Sequence, residues 1–192
     1  MLTTLLELQR LKRLDRTGWT LRGQMPGAET VAAHSYGVVV VAMLLADEAV
    51  RRGVEVDAER VLRLAVLHDW AEARTGDLPR AVLHYYGMET RKKAEEKAFN
   101  DIVKPLGSGQ AESLRWLHEE YEERATLEAR LVKAADVIDL LAQALTFERA
   151  GARGLDEFWE NATALHFKLE GAAGEVVSEV LKGLADERAK LK

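Results

Sequence analysis

A chain of 192 residues is long enough for one compact domain with a sizeable core and too short for two comfortable ones. Its 47% hydrophobic and 31% charged residues, with only 3 Pro and few aromatics, lean toward an all-α globular fold. A net charge of -5 gives no general attraction to nucleic acid or anionic membrane, and the lack of Cys excludes disulfides, thiol nucleophiles and thiolate-bound metal.

Leu2, Leu5, Leu6, Leu8, Leu11 and Leu14 recur at helical spacing and predict a first amphipathic helix over about 2–14. The same segment carries charges too early for a secretory apolar core. Residues from Arg16 to Gly27 break the pattern and read as a structured loop. Thr30 is a candidate cap for a helix over about 31–51 that ends at Gly53. Its VVVV run favours a strand by propensity, but some twenty residues without a breaker exceed a typical strand. The most apolar stretch, Val38–Ala46, is far short of the ~20 residues a bilayer span needs. The expectation is a cytoplasmic protein with neither membrane nor nucleic acid as partner.

Asp57 is suited to cap a helix over about 58–73, with Val61, Leu64, Ala65 and His68 on one face. A turn follows at residues 75–79. Further helices are expected over about 90–104, stopping before Pro105, then 109–120, 124–150 and 155–161, with more toward the C-terminus. No repeat or linker interrupts the chain, so residues 1–192 read as a single helical domain.

The doublet His68-Asp69 lies at the end of an otherwise apolar segment, LRLAVLHDWAEARTGDLP. An imidazole and a carboxylate in such a setting must be solvated, paired or bound to something. Glu72 follows four residues after His68, on the same side of a helix, and Asp77 lies in the turn beyond. Taken alone, a His-Asp doublet is more often a surface pair, and His34 within VAAHSYGVVVV more often a satisfied core histidine. Asp136 has little reason to lie on the apolar face of LVKAADVIDLLAQAL. Together His34, His68, Asp69 and Asp136 make a His2Asp2 donor set suited to one divalent cation. Mn, Co, Fe, Ni or Zn fit it by donor type, and Mg by abundance. The run from His118 to Glu123 reads as a solvated helix end.

The order H…HD…D resembles the HD-domain superfamily. The words LKRLDRTGWTLRG, ETVAAHSYGV, LHDWAEARTGDLP and EARLVKAADVIDLLAQALTFE narrow the resemblance to its 5′-deoxynucleotidase-like branch, over about residues 10–160. The resemblance implies a compact helical bundle in which His34, His68, Asp69 and Asp136 bind the cation. It also implies hydrolysis of deoxynucleoside 5′-monophosphates, a small nucleotide as substrate, and a homodimer. By motif match, Glu72 and Asp77 handle the attacking water, and the loop bearing Trp19 and Arg22 contacts substrate. Gly18 stands where another branch has Arg directly before the Trp, so the arginine that grips phosphate is either Arg16 or Arg22. Lys133, one turn before Asp136, is a further candidate for holding substrate. Rival readings are an HD phosphohydrolase acting on an alarmone or cyclic nucleotide, and a nucleotide sensor without turnover.

Overall fold

The computed structural model describes residues 1–163 and 166–191, and among these it is helical, with one isolated bridge between Asp15 and Thr30. The chain forms two compact units, and it passes between them more than once. The first comprises Met1–Ser35 and Leu67–Glu122; the second comprises Tyr36–Val66 and Glu123–Lys192.

In the first unit, α1 (Leu2–Leu8) tightens into a 3-10 turn over Gln9–Lys12, so the expected helix stops short of Leu14. The short α2 (Thr17–Thr20) lies inside the expected loop. That loop is closed at its base, where Arg16 N donates to Glu29 O (3.0 Å) and Val31 N to Leu14 O (2.8 Å). The unit is completed by the first turn of α3 (Val31–Arg51), α5 (Glu72–Thr75), α6 (Leu83–Tyr86), α7 (Met88–Val103) and most of α8 (Ser108–Glu123). Leu11, Val31, Ala73 and Ile102 form a buried cluster against which Leu8, Leu14, Ala32 and Trp70 pack. Burying each of the larger side chains contributes about 1.5–3 kcal/mol. The run from His118 to Glu123 departs from the expected solvated end, because His118, Glu120 and Tyr121 are buried. His118 stacks on Phe99 at 4.0 Å, and burial, with Lys92 adding to it, pulls its imidazole down to about 4.

The second unit holds the rest of α3, α4 (Ala58–Leu67), α9 (Leu127–Arg149), α10 (Asp156–Thr163) and α11 (Gly171–Ala189), with α10 and α11 packed on α9. Three helix starts follow the capping logic of the sequence. Thr30 Oγ1 accepts from Ala33 N (3.2 Å), Asp57 Oδ1 from Arg60 N (3.0 Å), and Thr126 Oγ1 from Ala129 N (3.2 Å). By length and composition α3 could cross a bilayer, which the shorter apolar run Val38–Ala46 did not suggest. Its buried positions are Val31, His34, Val38, Ala42, Leu45, Ala46 and Ala49, the i, i+3/i+4 stripe of a core helix.

Gly37 of α3 accommodates a carboxylate of α9. A Cβ built on it would lie 2.0 Å from Asp139 Oδ1 and 2.6 Å from its Cγ. Alanine improves helix propensity by up to about 1 kcal/mol. Overpacking of this kind costs about 1–3 kcal/mol, so Gly37→Ala is expected to destabilise the protein on balance. Urea unfolding checks this, and pairing the change with Asp139→Ala should restore the loss.

Candidate active site

The segment after α4 decides the geometry. A helix continuing to residue 73 is expected from the apolar spacing, but α4 ends at Leu67 and the chain turns before α5 begins at Glu72. Trp70 N donates to Leu67 O, Glu72 N to Asp69 O and Ala73 N to Trp70 O, all at 3.1 Å. These three-residue steps tighten the chain, and His68 and Asp69 stand in the turn itself.

His68 Nε2 lies 3.2 Å from Asp69 Oδ2, and His34 Nε2, from the first turn of α3, lies 3.8 Å from the same oxygen. The two imidazoles meet edge to face with centroids 5.5 Å apart, and both are buried. Two imidazole nitrogens and a carboxylate oxygen converge here, and these are donor types that hold a divalent cation. Ligands at about 2.1 Å from one metal ion stand roughly 3–3.5 Å apart. The residues present therefore fit a divalent cation. Burial pushes the Asp69 carboxyl up. The His68 imidazole, then Arg16 and His34, outweigh it and hold the group well below the usual carboxylate range.

Glu72 is the unusual member. It is 5% exposed, and its Oε2 is buried with no hydrogen-bond partner among the described residues. Burial, then the charges of Asp69 and Asp77, push its carboxyl well above the ordinary range, while Arg16 and Arg91 act in the opposite direction. Asp77 folds back as the sequence suggests. Its Oδ1 accepts from Arg16 Nη1 (2.8 Å) and its Oδ2 from Thr17 N (2.5 Å). Arg16 Nη1 also lies 3.5 Å from Asp69 Oδ2, so this arginine links the α2 loop to two carboxylates of the cluster. Arg22 is half-buried just beyond α2. Trp19 is buried at 1% exposure and donates its indole N–H to Glu29, so it packs as a wall of the loop.

Asp77→Ala removes the carboxylate that holds both Arg16 and the Thr17 amide. Breaking a largely buried, hydrogen-bonded ion pair costs about 3–5 kcal/mol, and this pair is expected near the lower end. A thermal melt reads the loss; a change under about 0.5 kcal/mol would mean that the α2 loop is not held by Asp77.

In the second unit, Asp136 lies on α9 with its Oδ2 2.6 Å from Lys133 Nζ, one turn away. Asp139, on the same helix, approaches Gly37. Two residues of the first unit escaped the sequence reading. Tyr121 meets the His68 ring edge to face at 5.7 Å, and Arg91 exerts its charge on Glu72 and Asp69. Both lie in strongly charged helices whose composition suggests a solvated face.

The HD domain family matches residues 8–168, most of the chain and segments of both units. The chain belongs to the HD-domain family. Among relatives of this HD protein, a fission yeast protein (Schizosaccharomyces pombe) named 5′-deoxynucleotidase hdd1 is 33% identical, over 95% of this chain and 91% of its own. The Xenopus laevis protein named 5′-deoxynucleotidase HDDC2 is 35% identical, over 82% of this chain and 75% of its own. The crystal structure of the PH0347 protein from Pyrococcus horikoshii superposes with a TM-score of 0.81 at 32% identity, covering 97% of this chain and 99% of the other.

Proposed function

We propose that this HD-domain protein is a metal-dependent 5′-deoxynucleotidase that hydrolyses deoxynucleoside 5′-monophosphates to deoxynucleoside and phosphate. The observation that carries the reading is the Glu72 carboxylate oxygen, buried without a hydrogen bond within a few residues of the His68–Asp69 pair. Leaving such an atom unsatisfied is destabilising, which suits a position kept for a water or a substrate rather than for the fold. The yeast and frog relatives carry the substrate class in their names.

His34, His68 and Asp69 are the cation's ligands in this reading, and Asp136 is the fourth by the order H…HD…D. A set of two imidazoles and two carboxylates suits Mn, Co, Fe, Ni or Zn, with Mg less matched to nitrogen donors. When bound, the cation supplies Lewis-acid polarisation at the phosphoryl group and acidifies water into the neutral range. Glu72 takes the proton of the attacking water as its oxygen bonds to phosphorus. The bond from phosphorus to the 5′ oxygen breaks, and the proton taken up by Glu72 passes to that oxygen as it leaves. Asp77 orients Arg16 and the Thr17 amide at the edge of the site, and the guanidinium stabilises negative charge developing on the phosphoryl oxygens. Trp19 supports the loop, Arg22 lines the approach to it, and Lys133 balances the charge of Asp136.

The family match through both units supports taking residues 1–192 as one HD domain. Exposed Tyr36, Met43 and Leu44 on α3 support a homodimer, which light scattering would detect. Phosphate release from matched deoxy- and ribonucleoside monophosphates, a cyclic nucleotide and a guanosine tetraphosphate tests the substrate. Release confined to the deoxynucleoside monophosphates supports the reading. Preference for the cyclic or diphosphate compound overturns it in favour of another HD phosphohydrolase.

A further inference from the structure

The first unit gathers three carboxylates, Asp69, Glu72 and Asp77, around one loop arginine. Arg16 is already engaged there, with Nη1 2.8 Å from Asp77 and 3.5 Å from Asp69. A phosphomonoester brings up to about two further negative charges at neutral pH. Beside Arg16, its recognition calls for a second cation with donors not already committed to carboxylates.

The helix α7 packs along α5, the element that begins with Glu72. Most of α7 is solvated: Lys92, Lys93, Ala94, Glu96 and Lys97 are exposed. Its inward stripe runs through Arg91, Glu95, Ala98, Phe99, Ile102 and Val103, at the i, i+4, i+7/i+8, i+11/i+12 spacing of one helix face. Arg91 thus stands at the outer end of a buried face, with its side chain 28% exposed. Its Nε donates to Glu95 Oε1 at 2.6 Å, the one hydrogen bond of its side chain among the described residues. That contact fixes the plane of the guanidinium and leaves both Nη groups for a ligand. The Arg91 charge also acts on Glu72 and Asp69 more strongly than on any other carboxylate except Glu95.

We propose that Arg91 is a second phosphate-binding residue of this site: oriented by Glu95, its two Nη groups take phosphoryl oxygens on the side of the site next to Glu72. Arginine suits this role because its planar fork matches two phosphate oxygens, whereas lysine offers only a point charge. The inference rests on the phosphohydrolase reading for its substrate, but phosphate binding itself can be measured without turnover. If Arg91 served only as the ion-pair partner of Glu95, it would be a structural residue like any other i, i+4 pair on a helix.

The test compares wild type, Arg91→Gln, Arg91→Lys, Glu95→Gln and Lys93→Gln, each supplied with Mn. Inorganic phosphate binding is read by calorimetry, and kcat and KM are read on a deoxynucleoside monophosphate. Arg91→Gln is expected to weaken phosphate binding about tenfold or more and to lower kcat/KM roughly 100-fold, with melting temperature and Mn affinity unchanged. Arg91→Lys should recover part of the affinity, and Lys93→Gln, which removes the same charge from the solvated face, should stay within about twofold of wild type. Unaltered phosphate binding in Arg91→Gln would overturn the inference, as would a wild type that binds no phosphate. So would a Glu95→Gln variant that reproduces the whole loss together with a drop in melting temperature. Weakened phosphate binding in Arg91→Gln beside a wild type without turnover would uphold the phosphate role and remove the nucleotidase reading instead.

Discussion

Glu72→Gln is expected to fold at least as stably as the parent protein at neutral pH while hydrolysing substrate about 100- to 10,000-fold more slowly. The two halves of the result have one cause. In the metal-free protein, burial and the charges of Asp69 and Asp77 raise the Glu72 carboxyl well above its ordinary range. The unfolded chain titrates such a group near about 4.3, so between that pH and the raised value the folded state holds the extra proton. Stability contributed by Glu72 is therefore complete below about 4.3 and is lost as pH rises through the folded value. Glutamine is neutral at every pH and removes this loss, so stability measured against pH should lose its decline on the alkaline side. It cannot accept a proton, so turnover falls. Denaturation series at several pH values and single-turnover kinetics measure the two effects separately. A variant that keeps wild-type turnover would exclude Glu72 as the proton acceptor.

Asp69→Ala is expected to abolish stoichiometric binding of the divalent cation. Its Oδ2 is the atom shared by His68 Nε2 at 3.2 Å and His34 Nε2 at 3.8 Å, so its removal takes away the centre of the donor set. Affinity should fall by more than the roughly 100-fold typical of losing a group that only orients a ligand. Wild type, at metal one hundred times above its Kd, gains about 2.7 kcal/mol of stability, and the variant should gain none. Melting curves with and without Mn, beside direct metal analysis, check both expectations. Equal stabilisation of the two proteins would mean that the cation binds elsewhere.

The all-α fold and several helix starts are readable because local rules are obeyed there. Thr30, Asp57 and Thr126 cap their helices through their own side chains, and such bonds need only the next three residues. The sequence marks Asp57 and Thr30 for this role, whereas its spacing puts the start of α9 a few residues early. The break at residues 68–71 was not legible, since the apolar spacing of LRLAVLHDWAEA runs through it without Gly or Pro. It follows instead from a set of three-residue turns. The pairing of Arg16 with Asp77 joins residues 61 apart, and no local pattern carries it. The choice between Arg16 and Arg22 was open for that reason.

Burial of charged segments was the other hidden quantity. Tyr121 lies in HEEYEE and Arg91 in METRKKAEEK, both of which look solvated by composition. Only the packing of α7 and α8 reveals that one stripe of each faces inward. The proposed metal ligands, by contrast, stand out in the sequence as an ordered series rather than by any single neighbourhood. His34 and His68 are each unremarkable residues in apolar helices until they are taken with Asp69 and Asp136.

Phosphate release from a deoxynucleoside 5′-monophosphate decides whether the protein is a metal-dependent nucleotidase. The protein is stripped with chelator and resupplied separately with Mn, Co, Mg or Zn, beside Asp69→Ala under the same conditions. No release is expected after stripping, with recovery by at least one cation and none in the variant. Release by the stripped protein, or equal release by Asp69→Ala, would contradict it.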